Sequence, residues 1–282
     1  MAGVAAEAGT IGETTGVTDA TILFVGDVVG ALGRRTLLGL LPTLRERYAP
    51  TFVVVNAENV AGGLGITPKI ADQLLAAGVD VITLGNHTYH HREVFPYLER
   101  AERVIRPANF LRRQPGKGSC VVERDGLRLG VLNLQGNVFL QTGRHAFSEA
   151  ETEVARLEQE CDHVLVDFHA EATSEKVAMG WYLDGRVTAV VGTHTHVPTA
   201  DARVLPGGTA FCTDVGMTGP RGGVIGVKKE QAIESLVSQM RVRFETSDDD
   251  PWINAVVVRA SQPRRADAIE QVLLPWTPPL GG

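Results

Sequence analysis

The first third of the chain repeats one pattern three times: a short apolar run, a small polar cluster, then a helical stretch. Thr21 to Val25 runs into Gly26, Asp27 and Gly30. Thr51 to Val55 runs into Asn56, Glu58 and Asn59, and Asp80 to Leu84 into Gly85, Asn86 and His87. Apolar runs of this length, bounded by turn residues, read as strands buried on both faces. The stretch from about Gly33 to Tyr48 places Leu37, Leu38, Leu41 and Leu44 on one helical face, and Pro68 to Ala77 also reads as helix. Strands alternating with helices predict parallel pairing and right-handed crossovers. Ligands in such sheets bind at the carboxyl ends of the strands, where these polar clusters lie.

The middle of the chain departs from this pattern. Gly118 to Glu123 and Leu127 to Leu132 flank Asp125 and Gly126, a hairpin signal. A helix is expected over about Ser148 to Gln159, with Ser148 as N-cap. His163 to Phe168 is a further apolar strand, ending at His169, and Ser174 to Trp181 reads as helix. Val187 to Val191 runs into Gly192, Thr193, His194, Thr195 and His196. A second hairpin is expected around Pro206 to Gly208, then a glycine-rich loop over Asp214 to Gly223 and a helix over Lys228 to Met240. Ile253 to Arg259 is expected as the last strand, with an irregular tail holding Pro275, Pro278 and Pro279. Hairpins beside strand–helix units predict an α/β fold of two mixed sheets packed face to face with helices outside. Residues 1–20 show no apolar period and read as a disordered extension before a single domain over 21–282.

Five strand ends thus carry Asp27, Glu58 with Asn59, Asn86 with His87, His169, and His194 with His196. Each has an ordinary structural reading. Asp27 suits a helix cap, Asn86 suits a left-handed turn, and a single histidine is often a satisfied core group. Their shared placement argues for more, because parallel strands bring their carboxyl ends to one edge. His194 and His196 lie two apart in an extended segment and face the same side. Carboxylate, carboxamide and imidazole donors without thiolate suit manganese, iron or zinc.

In order, these motifs resemble the calcineurin-like metallophosphoesterase superfamily. Gly85-Asn86-His87 and the run Gly192 to His196 match its pattern, and His169 fits its lone histidine. The usual histidine two residues after Asp27 is missing, and Glu58 stands where a bridging aspartate is usual. These departures are themselves similar to one branch, the bacterial 2',3'-cyclic-nucleotide 2'-phosphodiesterases. The resemblance covers about Thr21 to Arg259 and implies a four-layer sandwich. It also implies two metal ions per chain, iron or manganese ahead of zinc. Asp27, Glu58 and His196 would hold one ion, with Asn59 replacing the missing histidine. Glu58, Asn86, His169 and His194 would hold the other. Hydroxide held by the metals would attack phosphorus, with His87 as general acid. Thr173, Ser174, Met217 and Thr218 lie near the inferred site and are candidates for shaping the substrate pocket.

A net charge of −6 argues against a protein built to coat nucleic acid. Three widely spaced cysteines read as reduced thiols and imply a cytoplasmic setting. No apolar run is long enough to span a membrane. His90 and His91, expected at the start of a helix, read as surface groups, and His145 and His163 as structural. The expected partner is a small cyclic nucleotide or another phosphodiester. The oligomeric state is left open, a homo-oligomer included. A phosphomonoesterase and a metal-dependent regulatory or RNA-binding protein are the rival functions.

Overall fold

The structure is a computed structural model and describes residues 19–277. The first elements are β1 (Ala20–Val25), α1 (Gly30–Tyr48), β2 (Phe52–Asn56), α2 (Pro68–Ala76), β3 (Val81–Thr83), α3 (Val94–Arg100) and β4 (Val104–Ile105). There follow β5 (Ser119–Arg124), β6 (Leu127–Gln135), α4 (Ala146–Glu160), β7 (His163–His169), α5 (Thr173–Tyr182) and β8 (Ala189–Thr193). The described elements end with β9 (Arg203–Val204), β10 (Ala210–Cys212), β11 (Gly219–Pro220), α6 (Lys229–Ser238), β12 (Pro251–Ala260) and β13 (Ala268–Pro275).

Two mixed sheets result. The first has the order β11-β12-β1-β2-β3-β4, with β13 also on β12, and β1 to β4 are mutually parallel. The second has the order β5-β6-β7-β8-β10-β9 and is parallel from β6 through β10. Side-chain alternation along each strand sorts the core into layers. Leu23, Val25, Val53 and Val55 pack with Leu37, Leu41, Leu44 and Leu74 of α1 and α2. Ile22, Phe24, Phe52 and Val54 face the other way, against Leu129, Val131, Leu165 and Val191 of the second sheet. Leu132, Leu134, Val164 and Val166 then meet Val154, Leu157 and Met179 of α4 and α5. The fold is therefore a four-layer α/β sandwich of two mixed sheets flanked by helices, as expected. The central strands have both faces covered, which is why they read as unbroken apolar runs.

Three local expectations are corrected. Ala268–Pro275 is a strand pairing along β12, so Ile253 to Arg259 is not the last strand and the tail is regular as far as Pro275. Helix α4 starts at Ala146, so Ser148 lies inside its first turn. The cap comes instead from Asn137, whose Oδ1 accepts from the Ala146 backbone N at 2.8 Å. His90 and His91 stand in a turn before α3, which starts only at Val94. The extension expected over residues 1–20 falls outside the described residues except for Asp19 and Ala20, and Ala20 already opens β1.

Candidate metal centre

The parallel strands of both sheets deliver their carboxyl ends to one place. Asp27 follows β1, Glu58 and Asn59 follow β2, and Asn86 and His87 follow β3. His169 ends β7 in the second sheet, and His194 and His196 follow β8. Asp27, Glu58, Asn59 and His169 are buried. The centre of the cluster is His169 Nε2. It lies 3.0 Å from Glu58 Oε1, 3.0 Å from Asn86 Oδ1 and 3.1 Å from His194 Nδ1. One imidazole N–H cannot serve three acceptors, so lone pairs of the type that bind metals converge here. Glu58, His169 and His194 present one ligand atom each within 4.8 Å of one another.

The partners of the histidine ring nitrogens agree with this reading. His169 Nδ1 faces Thr193 Oγ1 at 2.9 Å, and Thr193 in turn donates to Asp167 Oδ1 at 2.7 Å. That chain leaves Nε2 facing the cluster, as orienting partners of metal-binding histidines do. His194 Nε2 meets Glu171 Oε2 at 3.0 Å, which turns Nδ1 inward. His196 Nδ1 faces the Ile225 carbonyl at 2.9 Å, so its Nε2 lone pair points back at the cluster. That Nε2 is 3.8 Å from Asp27 Oδ1, a buried oxygen with no hydrogen-bond partner among the described residues. A buried carboxylate oxygen without a donor is costly unless a cation completes it. The donor set therefore fits a metal ion at Glu58, His169 and His194, with Asp27 and His196 offering further donors beside it.

The electrostatics are those of a charged pocket. Burial alone would push the Glu58 carboxyl up, but the His169 charge and hydrogen bonds from His169 and His87 hold it well below the usual range. Burial opposes the charge on His169, yet Glu58 and Asp27 outweigh it and raise its pKa to about 9. Burial and the neighbouring His169 charge lower His194 to about 3. Asp27 is raised, chiefly by burial.

The loops are shaped to make this contact. A Cβ on Gly85 would lie 2.4 Å from both Glu58 Oε2 and His169 Cδ2, so any side chain there fills the cluster. His194 and His196 adopt positive φ, 95° and 65°. Left-handed backbone at two non-glycine residues is strained and persists only where surroundings enforce it. The enforcement comes from a buried ion pair. Lys176 Nζ lies 2.6 Å from Asp214 Oδ2 and 3.1 Å from Thr195 Oγ1, and Asp214 also accepts from the backbone of Thr195 and Gly216.

The sequence reading brought eight residues to this place, and all eight are at it. Asn59 arrives in an unexpected orientation. Its Nδ2 faces His196 Nε2 at 3.1 Å and Glu58 Oε1 at 3.2 Å, whereas its Oδ1 faces His87 Nδ1 at 2.9 Å. In this orientation the Asn59 oxygen aims His87, and its amide nitrogen sits between Glu58 and His196. Among the substrate-pocket candidates, Met217 lines a cleft beside His196. Thr218 is fully buried behind it: its hydroxyl donates to the Asn254 carbonyl, and its backbone N donates to the Asp27 carbonyl. Thr218 thus holds the Asp27 loop from behind. Thr173 and Ser174 are exposed at the start of α5, away from the cluster's hydrogen bonds. Sequence reasoning missed Asp167, Thr193 and the burial of Lys176. An aspartate inside the apolar strand His163 to His169 was the available signal for the first.

Residues 23–272 match the family described as YmdB-like protein. The chain is 45% identical over 254 residues to the 2',3'-cyclic-nucleotide 2'-phosphodiesterase of Bacillus subtilis, covering 90% of this chain and 96% of that one. Its fold superposes on a hypothetical protein from Thermus thermophilus with a TM-score of 0.83 at 39% identity, covering 90% and 99% of the two chains. The corresponding values for a phosphatase from Mycoplasma pneumoniae are 0.86 and 35%, covering 92% and 94%. With its motifs, its sandwich and its strand-end cluster now joined to these similarities, the chain belongs to the YmdB-like family.

Proposed function

We propose that the chain hydrolyses 2',3'-cyclic nucleotides to 3'-nucleotides at a centre of two transition-metal ions, iron or manganese ahead of zinc. The observation that carries this reading is the convergence of Glu58, Asn86 and His194 on His169 Nε2. The activity printed for the Bacillus subtilis relative supports the choice of substrate. Asp27 and His196 would hold one ion, Asn86, His169 and His194 the other, with the Glu58 carboxylate shared. When bound, the pair supplies an activated water as nucleophile and neutralises charge on the phosphoryl oxygens.

The remaining work falls to side chains. His87 is half-exposed at the cluster's edge, with its backbone N donating to Glu58 Oε2 at 3.0 Å. Asn59 Oδ1 fixes His87 Nδ1, and Nε2 has no partner among the described residues. Nε2 is therefore the atom from which a proton passes to the departing 2'-oxygen. The bond from phosphorus to that oxygen breaks, the oxygen leaves as a hydroxyl, and the phosphate stays on the 3'-oxygen. Cys120, Cys161 and Cys212 are free thiols, which supports a reducing, cytoplasmic setting. Among the described residues, no helix is long and apolar enough to cross a membrane.

The test is product analysis. Metal-loaded protein should convert 2',3'-cyclic AMP to the 3'-phosphate and act much more slowly on 3',5'-cyclic AMP. Equal rates on both, or 2'-phosphate as the main product, would refute the assignment.

A further inference from the structure

A cleft of about 420 Å³ opens directly beside the cluster, and His196 belongs to both. Its volume is within the roughly 300–1,000 Å³ of ordinary small-molecule sites. The cleft is lined by Met217, Arg221 and Ile225 together with Trp252 and Asn254 of β12. Two features are unusual. The Arg221 guanidinium lies 4.3 Å from the centre of the Trp252 ring, a cation stacked on an aromatic face. The pair is built in: Trp252 Nε1 donates to Asp250 Oδ1 at 2.8 Å, and the Arg221 backbone N donates to the Asp250 carbonyl at 2.9 Å. The second feature is Asn254. It is only 8% exposed, and its backbone is bonded to Gly26 and Thr218. Its side-chain amide makes no hydrogen bond among the described residues. Gly216 leaves that amide room, since a Cβ there would lie 2.7 Å from Asn254 Nδ2.

A carboxamide that is nine-tenths buried, free of protein partners among the described residues and open to the cleft is placed to bond a ligand there. Asn254 and Trp252 are two apart on one strand and therefore face the same side. Stacking surface and paired donor–acceptor together match a nucleobase. A carboxamide fits adenine on two atoms, N6 and N7. We propose that the cleft is a nucleobase site in which adenine stacks on the Arg221–Trp252 pair and bonds the Asn254 amide. This rests on the phosphodiesterase reading only in placing the nucleotide's phosphate at the cluster, across His196.

The test uses adenosine, which has no phosphate, titrated into full-length metal-loaded protein and followed by tryptophan fluorescence and calorimetry. Adenosine should bind saturably and quench fluorescence. Trp252→Ala and Asn254→Leu should each weaken binding by about tenfold or more, the scale of one stacked base or one paired edge. Arg221→Ala alters an exposed side chain only, so it remains informative if a strand variant fails to fold, and it should weaken binding in the same direction. Absence of saturable adenosine binding, or undiminished binding by the folded variants, overturns the proposal. Hydrolysis of a nitrophenyl phosphodiester without adenosine binding overturns the cleft and leaves the phosphodiesterase reading intact. Adenosine binding without hydrolysis of any phosphodiester supports the cleft and removes that reading.

Discussion

Glu58 Oε1 and His169 Nε2 meet at 3.0 Å, and both side chains are buried. Glu58 follows β2, in the interior of the first sheet, and His169 ends β7, in the interior of the second. One contact therefore ties together the two layers whose facing sides form the central core. The approach of a carboxylate to an imidazole already crowded by Asn86 and His194 is explained best by cations that all of them serve.

The first prediction follows from that shared carboxylate. Glu58→Ala removes a donor from both positions at once, so elemental analysis of protein purified without chelator should show occupancy reduced at both. His196→Ala removes a donor from one position and should spare the other. If the Glu58 variant retained as much metal as the wild type, the bridging role would be wrong.

A second prediction concerns protons. His169 is held protonated in the metal-free protein, with a pKa raised to about 9 by Glu58 and Asp27 against burial. A metal ligand must be neutral, so loading has to displace that proton. Metal uptake at pH 7 should release protons, and apparent affinity should climb as pH rises towards 9. The sign for metal-free stability is the opposite. A raised folded-state pKa stabilises below the ordinary histidine range, and this contribution is lost as pH rises through about 9. Calorimetric titrations in buffers of different ionisation enthalpy measure the proton count directly. Loading without proton release would contradict the account.

Lys176 supplies a third. It is 2% exposed and pairs with the fully buried Asp214 beneath the strained histidine loop. Lys176→Met leaves Asp214 as a buried charge without its partner, a loss of roughly 3–5 kcal/mol. Urea denaturation should show this. The double change Lys176→Met with Asp214→Leu should cost less than the sum of the single changes, because the residues are coupled. Additive losses would mean that the pair does not act as a unit.

Much of this architecture was legible in the sequence because strands covered on both faces leave long apolar runs. Those runs alone place Asp27, Glu58, Asn86, His169 and His196 at strand ends. Other features depend on partners distant in sequence. Asp167 meets Thr83 and Thr193 across two sheets, and Lys176 of α5 meets Asp214, just past β10. Neither pairing leaves a local period. The strand β13 was hidden by Glu270 and Gln271, which interrupt its apolar run, and by Pro275, which an edge position tolerates. The orientation of the Asn59 amide likewise depends on a partner distant in sequence, His87, which meets its oxygen.

His87 carries the fourth prediction. His87→Gln keeps hydrogen-bonding capacity towards Asn59 but cannot act as an acid. It should fold, retain its metals and lose about 100-fold in kcat on a cyclic nucleotide. A nitrophenyl phosphodiester, whose weakly basic leaving group hardly needs a proton, should suffer much less. Equal losses on the two substrates would point to a role in positioning instead.

The most direct measurement counts metal and turnover on the same sample. Protein stripped with chelator is titrated with manganese or iron, and hydrolysis of 2',3'-cyclic AMP is followed at each addition. The account predicts no turnover in the stripped chain and a rise that levels off at about two equivalents per chain, as a two-metal site requires. Full turnover by a chain that analysis shows to be free of metal would contradict it.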